Sequence, residues 1–242
     1  MPDISTINGI AEDNIAEWNG ADAADIASVN SNTWVHLVPV TIAHTATAAN
    51  SGAASSYTFS SQAFGTANSA RRIIVVVGHG GSNRTISSMT IGGVSAANIV
   101  SNETVNSTDA HMYSAAVPSG TSGNVVINFN TTENRCGIGV FSMIGAASSA
   151  TTTKSATNTT SNSQTLTVPA GGAALAYAVG QANNTYTFGG VTESFDAAIA
   201  ASYTHGGACL AFESAQSPLT VTCALAGSAT NSVFLAASFG PS

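Results

Sequence analysis

From about Trp34 onward the chain is a succession of short segments that favour β-strands, and no other feature constrains the fold as much. The segments are rich in Val, Ile, Thr, Phe and Tyr, which fit the pleated surface of a sheet, and clusters of Gly, Ser, Asn and Pro separate them. Such regular spacing is typical of sandwiches and barrels. The sequence therefore predicts an all-β fold, a β-sandwich of the jelly-roll or immunoglobulin-like type. The predicted strands are 34–43, 56–64, 72–78, 87–93, 110–117, 124–130, 136–145, 163–169, 173–180, 186–191, 198–204, 208–214, 218–225 and 232–240.

Two of these segments differ in their hydrophobic pattern. The run IIVVV (73–77) is apolar without alternation, which predicts a central strand that is covered on both faces. The segment NVVINFN (124–130) alternates between apolar and polar residues, which predicts a strand with one face in the core and one in solvent. We therefore expect strands of both kinds in one molecule.

The strand segments of the first half can be laid over those of the second half in the same order, and TIGGV (90–94) and TFGGV (187–191) match best. This predicts an internal duplication of a six-stranded unit, with one unit at 34–147 and the other at 164–242. The tract 148–163 between them is polar and has no apolar residue larger than Ala, which predicts a linker. Whether the units form two sandwiches or merge into one stays open at this point.

Residues 1–33 form a leader with an eleven-residue repeat. Asn8, Asn19 and Asn30 are eleven residues apart, and apolar residues recur at the same interval. Runs of Ala and acidic residues at 11–18 and 21–28 predict short helices, each ended by an Asn or an Asn-Gly pair. An eleven-residue period also fits a right-handed coiled coil, but Asn and Gly are poor residues inside a helix. The leader is therefore predicted to be partly helical, with short helices joined by extended links.

Charge is scarce and unevenly placed. Asp, Glu, Lys and Arg make up 7% of the residues, against about 25% in an ordinary soluble domain. Six of the twelve acids lie within the first 25 residues, where there is no Lys or Arg. The chain offers no basic stripe for nucleic acid and no apolar run of membrane-spanning length. Because the N-terminus also lacks the positive charge and apolar stretch of a signal peptide, we expect the protein to be made and kept in a cytoplasm until it is released in some other way.

The motif search predicts no catalytic residue, no cofactor and no metal site. There is no phosphate-binding loop and no nucleophile elbow, and GHGG (78–81) is interpreted as a flexible turn. The five histidines lack the spacing of metal ligands. Asp109 and His111 would lie on the same face of a strand, but a solvated loop is the simpler interpretation of the pair.

The three cysteines do not form a disulfide framework. Cys136 is predicted to be a core residue. Cys209 and Cys223 flank a predicted hairpin with its turn near Gln216, which would place them opposite each other. They are either two small buried side chains or a disulfide that forms in an oxidising environment after assembly.

Several segments resemble structural proteins of tailed bacteriophages. In the leader the resemblance lies in the phrasing N-G-x-A…D-I-A-S-V-N, and in the first β unit it lies in RIIVVVG, SSMTIGGVSAANIV, YSAAVPSGTSGNVVINF and CGIGVFSMIGA. The resemblance implies a virion component, such as a capsid decoration (cement) protein, a head fibre or a tail-associated protein. The matched segments carry no catalytic residues. We therefore expect a non-enzymatic protein, located in the virion and assembled in the host cytoplasm.

The expected partners are other virion proteins of the capsid or the tail, together with sister copies in a homo-oligomer. The leader is expected to attach the protein, and its repeated apolar residues are the predicted anchors: Ile4, Ile7, Ile15, Trp18, Ile26 and Val29. The alternative is a carbohydrate-binding adhesin or receptor-binding fibre domain that recognises a host-surface glycan. That function would use loops near 101–110 and 192–207, and the aromatic residues available for stacking are Trp34, Tyr57, Tyr113, Tyr186 and Tyr203.

Overall fold

The all-β prediction is confirmed by a computed structural model, and the residues that it describes contain no helix. The chain divides into two compact units, 1–37 and 38–242. In the first unit the structure describes only six pairs of strand residues. In the second unit, called the body below, it describes 38–81, 84–103, 108–157, 160–181, 185–227 and 231–242.

The leader contains three minimal β-hairpins. The paired strands are β1 (Thr6–Ile7) with β2 (Ile10–Ala11), β3 (Glu17–Trp18) with β4 (Ala21–Asp22), and β5 (Ser28–Val29) with β6 (Asn32–Thr33). Each hairpin is shifted by eleven residues from the previous one, so the sequence repeat is a repeat of hairpins. Both predicted helical runs, 11–18 and 21–28, begin and end in strand residues, and their centres, 12–16 and 23–27, lie outside the described residues. Asn-Gly stands between the paired strands of the first two hairpins and Asn-Ser between those of the third. Asn-Gly is the signature of a two-residue hairpin loop, although the sequence analysis assigns it to a helix end.

The body contains four antiparallel sheets. The first outer sheet has β8 (Ala54–Ala63), β10 (Ile86–Ile91), β11 (Val94–Ser95) and β14 (Ser122–Glu133). The first inner sheet has β7 (Thr41–Asn50), β9 (Arg71–His79), β12 (Ala97–Glu103), β13 (Asp109–Ala116) and β15 (Cys136–Ile144). The second inner sheet has β16 (Thr152–Thr157), β18 (Ala173–Gly180), β20 (Thr192–Ala200), β21 (Tyr203–Ala211) and β23 (Ser232–Phe239). The second outer sheet has β17 (Ser161–Val168), β19 (Tyr186–Gly189) and β22 (Gln216–Leu225).

Three hydrophobic cores join these sheets into four layers. One core lies between the first outer and first inner sheets, one between the two inner sheets, and one between the second inner and second outer sheets. Strand β9 shows why: Ile73, Val75 and Val77 belong to the first of these cores, whereas Ile74 and Val76 belong to the core between the inner sheets. The continuous apolar run therefore forms a central strand that is buried on both faces, as predicted.

The body has two halves, each made of one outer and one inner sheet, and the two halves have the same strand order. The first inner sheet is ordered β12-β13-β9-β15-β7, and the second is ordered β20-β21-β18-β23-β16. All six segments that the sequence overlay matched lie on strands at corresponding positions in the two orders. The faces also constrain the register, because Ile74 and Val76 of β9 and Leu175 and Tyr177 of β18 all point into the core between the inner sheets. We align Val76 with Tyr177, so that His79 corresponds to Gly180. Aligning Gly78 with Gly180 by sequence would be wrong by one residue and would invert the faces.

Two local predictions are wrong. The tract 148–163 contains the strand β16 and the start of β17, so it is more than a linker. Its polar Thr and Ser residues suit an edge strand, which pairs through its backbone with β23 alone. The segments around Cys209 and Cys223 do not form a hairpin, because β21 is in the inner sheet and β22 is in the outer sheet. Both cysteines are free thiols; Cys223 lies in the second outer core, whereas Cys209 packs against the core between the inner sheets.

Arg71 holds together one end of the first half. The side chain is 1% exposed and has no carboxylate partner among the described residues. Instead, its guanidinium donates to six backbone carbonyls, those of Phe64, Gly65, Thr66, Val117, Ser119 and Gly120. Because Arg has five N–H donors in a rigid fork, one side chain can fix two loops at once.

Candidate functional site

A chain of hydrogen-bonded side chains is buried at the other end of the first half. His79 is the last residue of β9, and Asp109 lies directly opposite it on the neighbouring strand β13. His111 follows Asp109 at an interval of two, so both side chains lie on the face that points toward the first outer sheet. Glu133, the last residue of β14, reaches the same point from the outer sheet. The cluster therefore forms where two sheets end together.

The hydrogen bonds between these side chains form one continuous path. The Glu133 carboxylate is 2.9 Å from His79 Nδ1, and His79 Nε2 is 2.9 Å from His111 Nε2. His111 Nδ1 is in turn 3.0 Å from Ser101 Oγ, because Ser101 lies directly opposite His111 on the edge strand β12. Three of the four members are fully buried, whereas Ser101 is exposed. The path therefore connects a buried carboxylate to a hydroxyl at the surface.

The carboxylate is held in its charged form. Arg84 Nη1 lies 3.2 Å from Glu133 Oε1, and the backbone N–H of Asn134 donates to the same oxygen at 2.7 Å. Burial alone would raise the pKa of Glu133, but the hydrogen bonds from His79, Asn134 and Arg84 keep that pKa below its ordinary value. The Asp109 carboxylate is a second acid near His79, at 3.9 Å from Nδ1.

The imidazole of His111 is held in its neutral form. Burial, with a smaller contribution from the neighbouring His79, lowers the pKa of His111 to about 3. A neutral imidazole donates from one ring nitrogen and accepts at the other. His111 can therefore pass a proton along the chain without becoming a stable cation itself.

The sequence indicated parts of this cluster but not its assembly. His79 was assigned to a flexible turn, yet it ends a buried strand. Asp109 and His111 do share a face, but they are 1% exposed and do not belong to a solvated loop. The sequence does not single out Ser101, Arg84 or Glu133, because two different strands and the loop before β10 bring them to the histidines, and no local spacing indicates this.

The predicted anchors belong to the leader, which is a different compact unit from the body that contains this cluster. Ile7, Trp18 and Val29 occupy the same place in the three hairpins, where each is the last residue before the loop. Ile4, Ile15 and Ile26 lie outside the described residues. The structure therefore places half of the predicted set at equivalent backbone positions.

The aromatic platform considered for glycan binding is not present on the described surface. Tyr57, Tyr186 and Tyr203 are buried, and Tyr113 is half-buried; Trp34 lies outside the described residues. The segment 192–207, expected as a loop, is mostly the strand pair β20 and β21. A cavity of about 410 Å³ does open beside Phe64, Val117 and the glycine pair 92–93.

Comparison of the chain with protein-family models, with curated proteins and with solved structures found no match. Within the described ranges, no group of three His, Cys, Asp or Glu residues is arranged to hold a metal ion. The described part of the chain also has no helix long and apolar enough to cross a membrane. A functional assignment therefore has to be argued from the leader and from the buried chain.

Proposed function

We propose that this protein is a non-enzymatic structural component of a tailed-bacteriophage virion, attached through its acidic leader and displaying the β body outward. The observation that carries the proposal is the series of three hairpins at eleven-residue intervals. Each hairpin has strands of two residues, and isolated two-stranded hairpins are at best marginally stable in water. Such a series therefore needs a partner surface to order it.

A repeated surface is the partner that best suits a repeated leader. A capsid or a tail presents many identical sites, and the hairpins carry Ile7, Trp18 and Val29 at equivalent positions. Three weak contacts in one chain give a much stronger attachment than any one of them, because the second and third bind intramolecularly. The six acids of the leader favour a basic partner surface. Sister copies in a homo-oligomer would multiply the contacts further.

The surface of the body is consistent with display on a particle. Glu133 is the only charged residue in the strands of the two outer sheets, and it is buried. Hydroxyl and amide side chains form rows across the first outer sheet: Ser56 Oγ donates to Asn128 Oδ1 at 2.7 Å, and Asn128 Nδ2 donates to Ser88 Oγ at 2.9 Å. Such a surface is polar without charge. The three hydrophobic cores beneath it are built from residues of the body.

The proposal is tested by particle incorporation. The six anchor residues are replaced together by Ser in the full chain, and the amount of protein on purified virions is measured by quantitative mass spectrometry. We expect the variant to fold and to be lost from particles. A matched control replaces Val38, Val94 and Leu210, the exposed large apolar residues of the body, and should incorporate normally.

Incorporation of the anchor variant at full occupancy would refute attachment through the leader. A glycan array with the same purified protein addresses the adhesin alternative. Specific binding of a glycan by both the wild type and the anchor variant would place recognition in the body and favour the adhesin function.

A further inference from the structure

We infer that Ser101 is an activated nucleophile that accepts an acyl group from an ester, with the buried chain His111–His79–Glu133 as its proton acceptor. The inference concerns covalent modification at one site on the body and does not rest on the proposed function.

The direction of the hydrogen bonds follows from the carboxylate. Glu133 can only accept, so His79 carries its proton on Nδ1 and, when neutral, accepts at Nε2. His111 must then donate from Nε2, which leaves its Nδ1 as the acceptor for the Ser101 hydroxyl. Every proton in the chain therefore points away from Ser101 and toward Glu133. This is the arrangement in which a hydroxyl can lose its proton to a base.

The positive charge would form where it is best stabilised. As the Ser101 proton moves to His111 Nδ1, the proton on His111 Nε2 moves to His79 Nε2. The resulting imidazolium is His79, which has Glu133 at 2.9 Å and Asp109 at 3.9 Å. The fully buried His111 changes only its tautomer, so its low pKa does not oppose the transfer. A base oriented by a third group is the general logic of nucleophile activation.

The hydroxyl itself is accessible and supported. Ser101 lies on β12, which is the edge strand of its sheet, and its side chain is exposed. Asn98 Nδ2 donates to Ser101 Oγ at 2.6 Å, and this donor would stabilise the negative charge that develops on the oxygen. The attacking atom thus has a base on one side and a hydrogen-bond donor on another.

The proposed reaction is acyl transfer. Ser101 Oγ attacks the carbonyl carbon of an ester, the bond from that carbon to the leaving oxygen breaks, and the acyl group stays on Ser101. With p-nitrophenyl acetate the leaving group departs as p-nitrophenolate. The Ser101 proton moves to His111, the proton that His111 passes to His79 is then released to solvent, and the products are acetyl-Ser101, p-nitrophenolate and one proton.

The second half of the body provides an internal control. Ser194 lies on β20, the edge strand that corresponds to β12, and its hydroxyl donates to the Thr192 carbonyl at 3.4 Å. It also contacts Cys209 Sγ at 3.5 Å, and no histidine in the described part of the body is among its hydrogen-bond partners. A similar serine on a similar strand therefore lacks the base.

The test is acetylation of the full-length protein by p-nitrophenyl acetate, followed by intact-mass measurement and peptide mapping. We expect one acetyl group on Ser101, formed about 10²-fold faster than on Ser194, which is the lower range for general-base assistance. Ser101→Ala should abolish the fast phase and Ser194→Ala should leave it unchanged. Acetylation at Ser101 no faster than at other surface serines, or mainly at Lys154, would overturn the inference.

A pH profile tests the buried base without any change to the buried histidines. The Ser101 proton can move only into a series of neutral imidazoles, so the rate on the wild type should rise with pH. A flat profile would contradict the mechanism. The charged and titratable groups that face His79 and His111 are Asp109, Glu133, Arg84, Tyr113 and, through its cation–π contact with Tyr203, Arg135.

Discussion

The two halves of the body share a topology but fill equivalent positions with opposite kinds of residue. His79 ends the central strand of the first half and pairs with Asp109 and Cys136, whereas Gly180 ends that of the second half and pairs with Thr204 and Ser232. By the same register, His111 corresponds to Gly206. Arg71, at the start of the first central strand, corresponds to Gly172. Three large buried polar residues in one half are thus matched by three glycines in the other.

In the second half one tyrosine fills the space that the two histidines occupy in the first. A Cβ on Gly206 would lie 2.9 Å from the Tyr186 ring, and a Cβ on Gly180 would lie 3.2 Å from the Tyr186 hydroxyl. That hydroxyl donates to the Thr204 carbonyl at 2.9 Å, so it is satisfied locally. The same backbone can therefore bury either two histidines or one tyrosine, provided that every buried polar group has a partner. Only the arrangement with two histidines connects the interior to a surface hydroxyl.

Removal of the Arg71 side chain should produce the largest difference between the halves. Arg71→Met keeps the apolar stem but leaves six loop carbonyls without their donor, and we expect it to lower the free energy of unfolding by about 4 kcal/mol. Chemical denaturation measures the change. Gly172→Ala at the equivalent position is not a neutral control, because its Cβ would lie 2.6 Å from the Phe239 carbonyl. A loss below about 1 kcal/mol in Arg71→Met would show that the hydrogen bonds from Arg71 to the loop carbonyls do not support the fold.

Neutralisation of Glu133 should have the next largest effect. Glu133→Gln leaves Arg84 and His79 near an uncharged amide in a buried site, and we expect a loss of about 3 kcal/mol. The same variant should slow acetylation of Ser101. Unchanged stability in a denaturation experiment would mean that the buried charge is compensated in some other way.

Acid should destabilise the protein through one histidine in each half. Burial lowers the pKa values of His111 and His205 to about 3, so the folded protein keeps both neutral where the unfolded chain, with pKa values near 6.5, takes up protons. Stability is therefore unaffected above pH 6.5 and falls as the pH drops from there toward 3. The loss is about 1.4 kcal/mol per pH unit for each histidine, or about 2 kcal/mol each between pH 6.5 and 5.

Substitution of the two histidines separates their contributions. His111→Gln and His205→Gln should each flatten the pH dependence of the free energy of unfolding by the share of one histidine. If neither variant changes the slope between pH 6.5 and 5, the protonation of these two imidazoles does not control acid stability.

The smallest effect is expected in the second half. Tyr186→Phe removes only the hydroxyl and its hydrogen bond to Thr204, so the free energy of unfolding should fall by about 1 kcal/mol. Thermal denaturation compares it with Tyr177→Phe, whose hydroxyl is 3.1 Å from His205 Nδ1. A loss in Tyr186→Phe as large as that in Glu133→Gln would contradict the contrast between the two halves.

The strands and their duplication could be predicted from the sequence because both produce local patterns of apolar and polar residues. The run 73–77 indicated a doubly buried strand, and TIGGV and TFGGV lie at equivalent places in the two outer sheets. The one-residue shift between Gly78 and Gly180 could not be read in this way, because only the cores on either face fix it. The leader was misinterpreted for a local reason, since Asn-Gly suits both a helix end and a hairpin loop.

The buried chain was out of reach of sequence reasoning for a different reason. Its members at 79, 101, 111 and 133 come from four strands in two sheets. In the whole buried cluster, only Asp109 and His111 are close in sequence. The periodicity of a strand gives the face of a residue but not which strands meet at its end. The topology supplied that information.

The proposed role is tested most directly by an electron-microscopy map of the intact particle in which the chain is located. Our account predicts the three hairpins of the leader against the capsid or tail surface, with Ile7, Trp18 and Val29 at the contact and the body facing solvent. A map in which the body makes the attachment and the leader points into solvent would contradict it, as would particles that lack the chain.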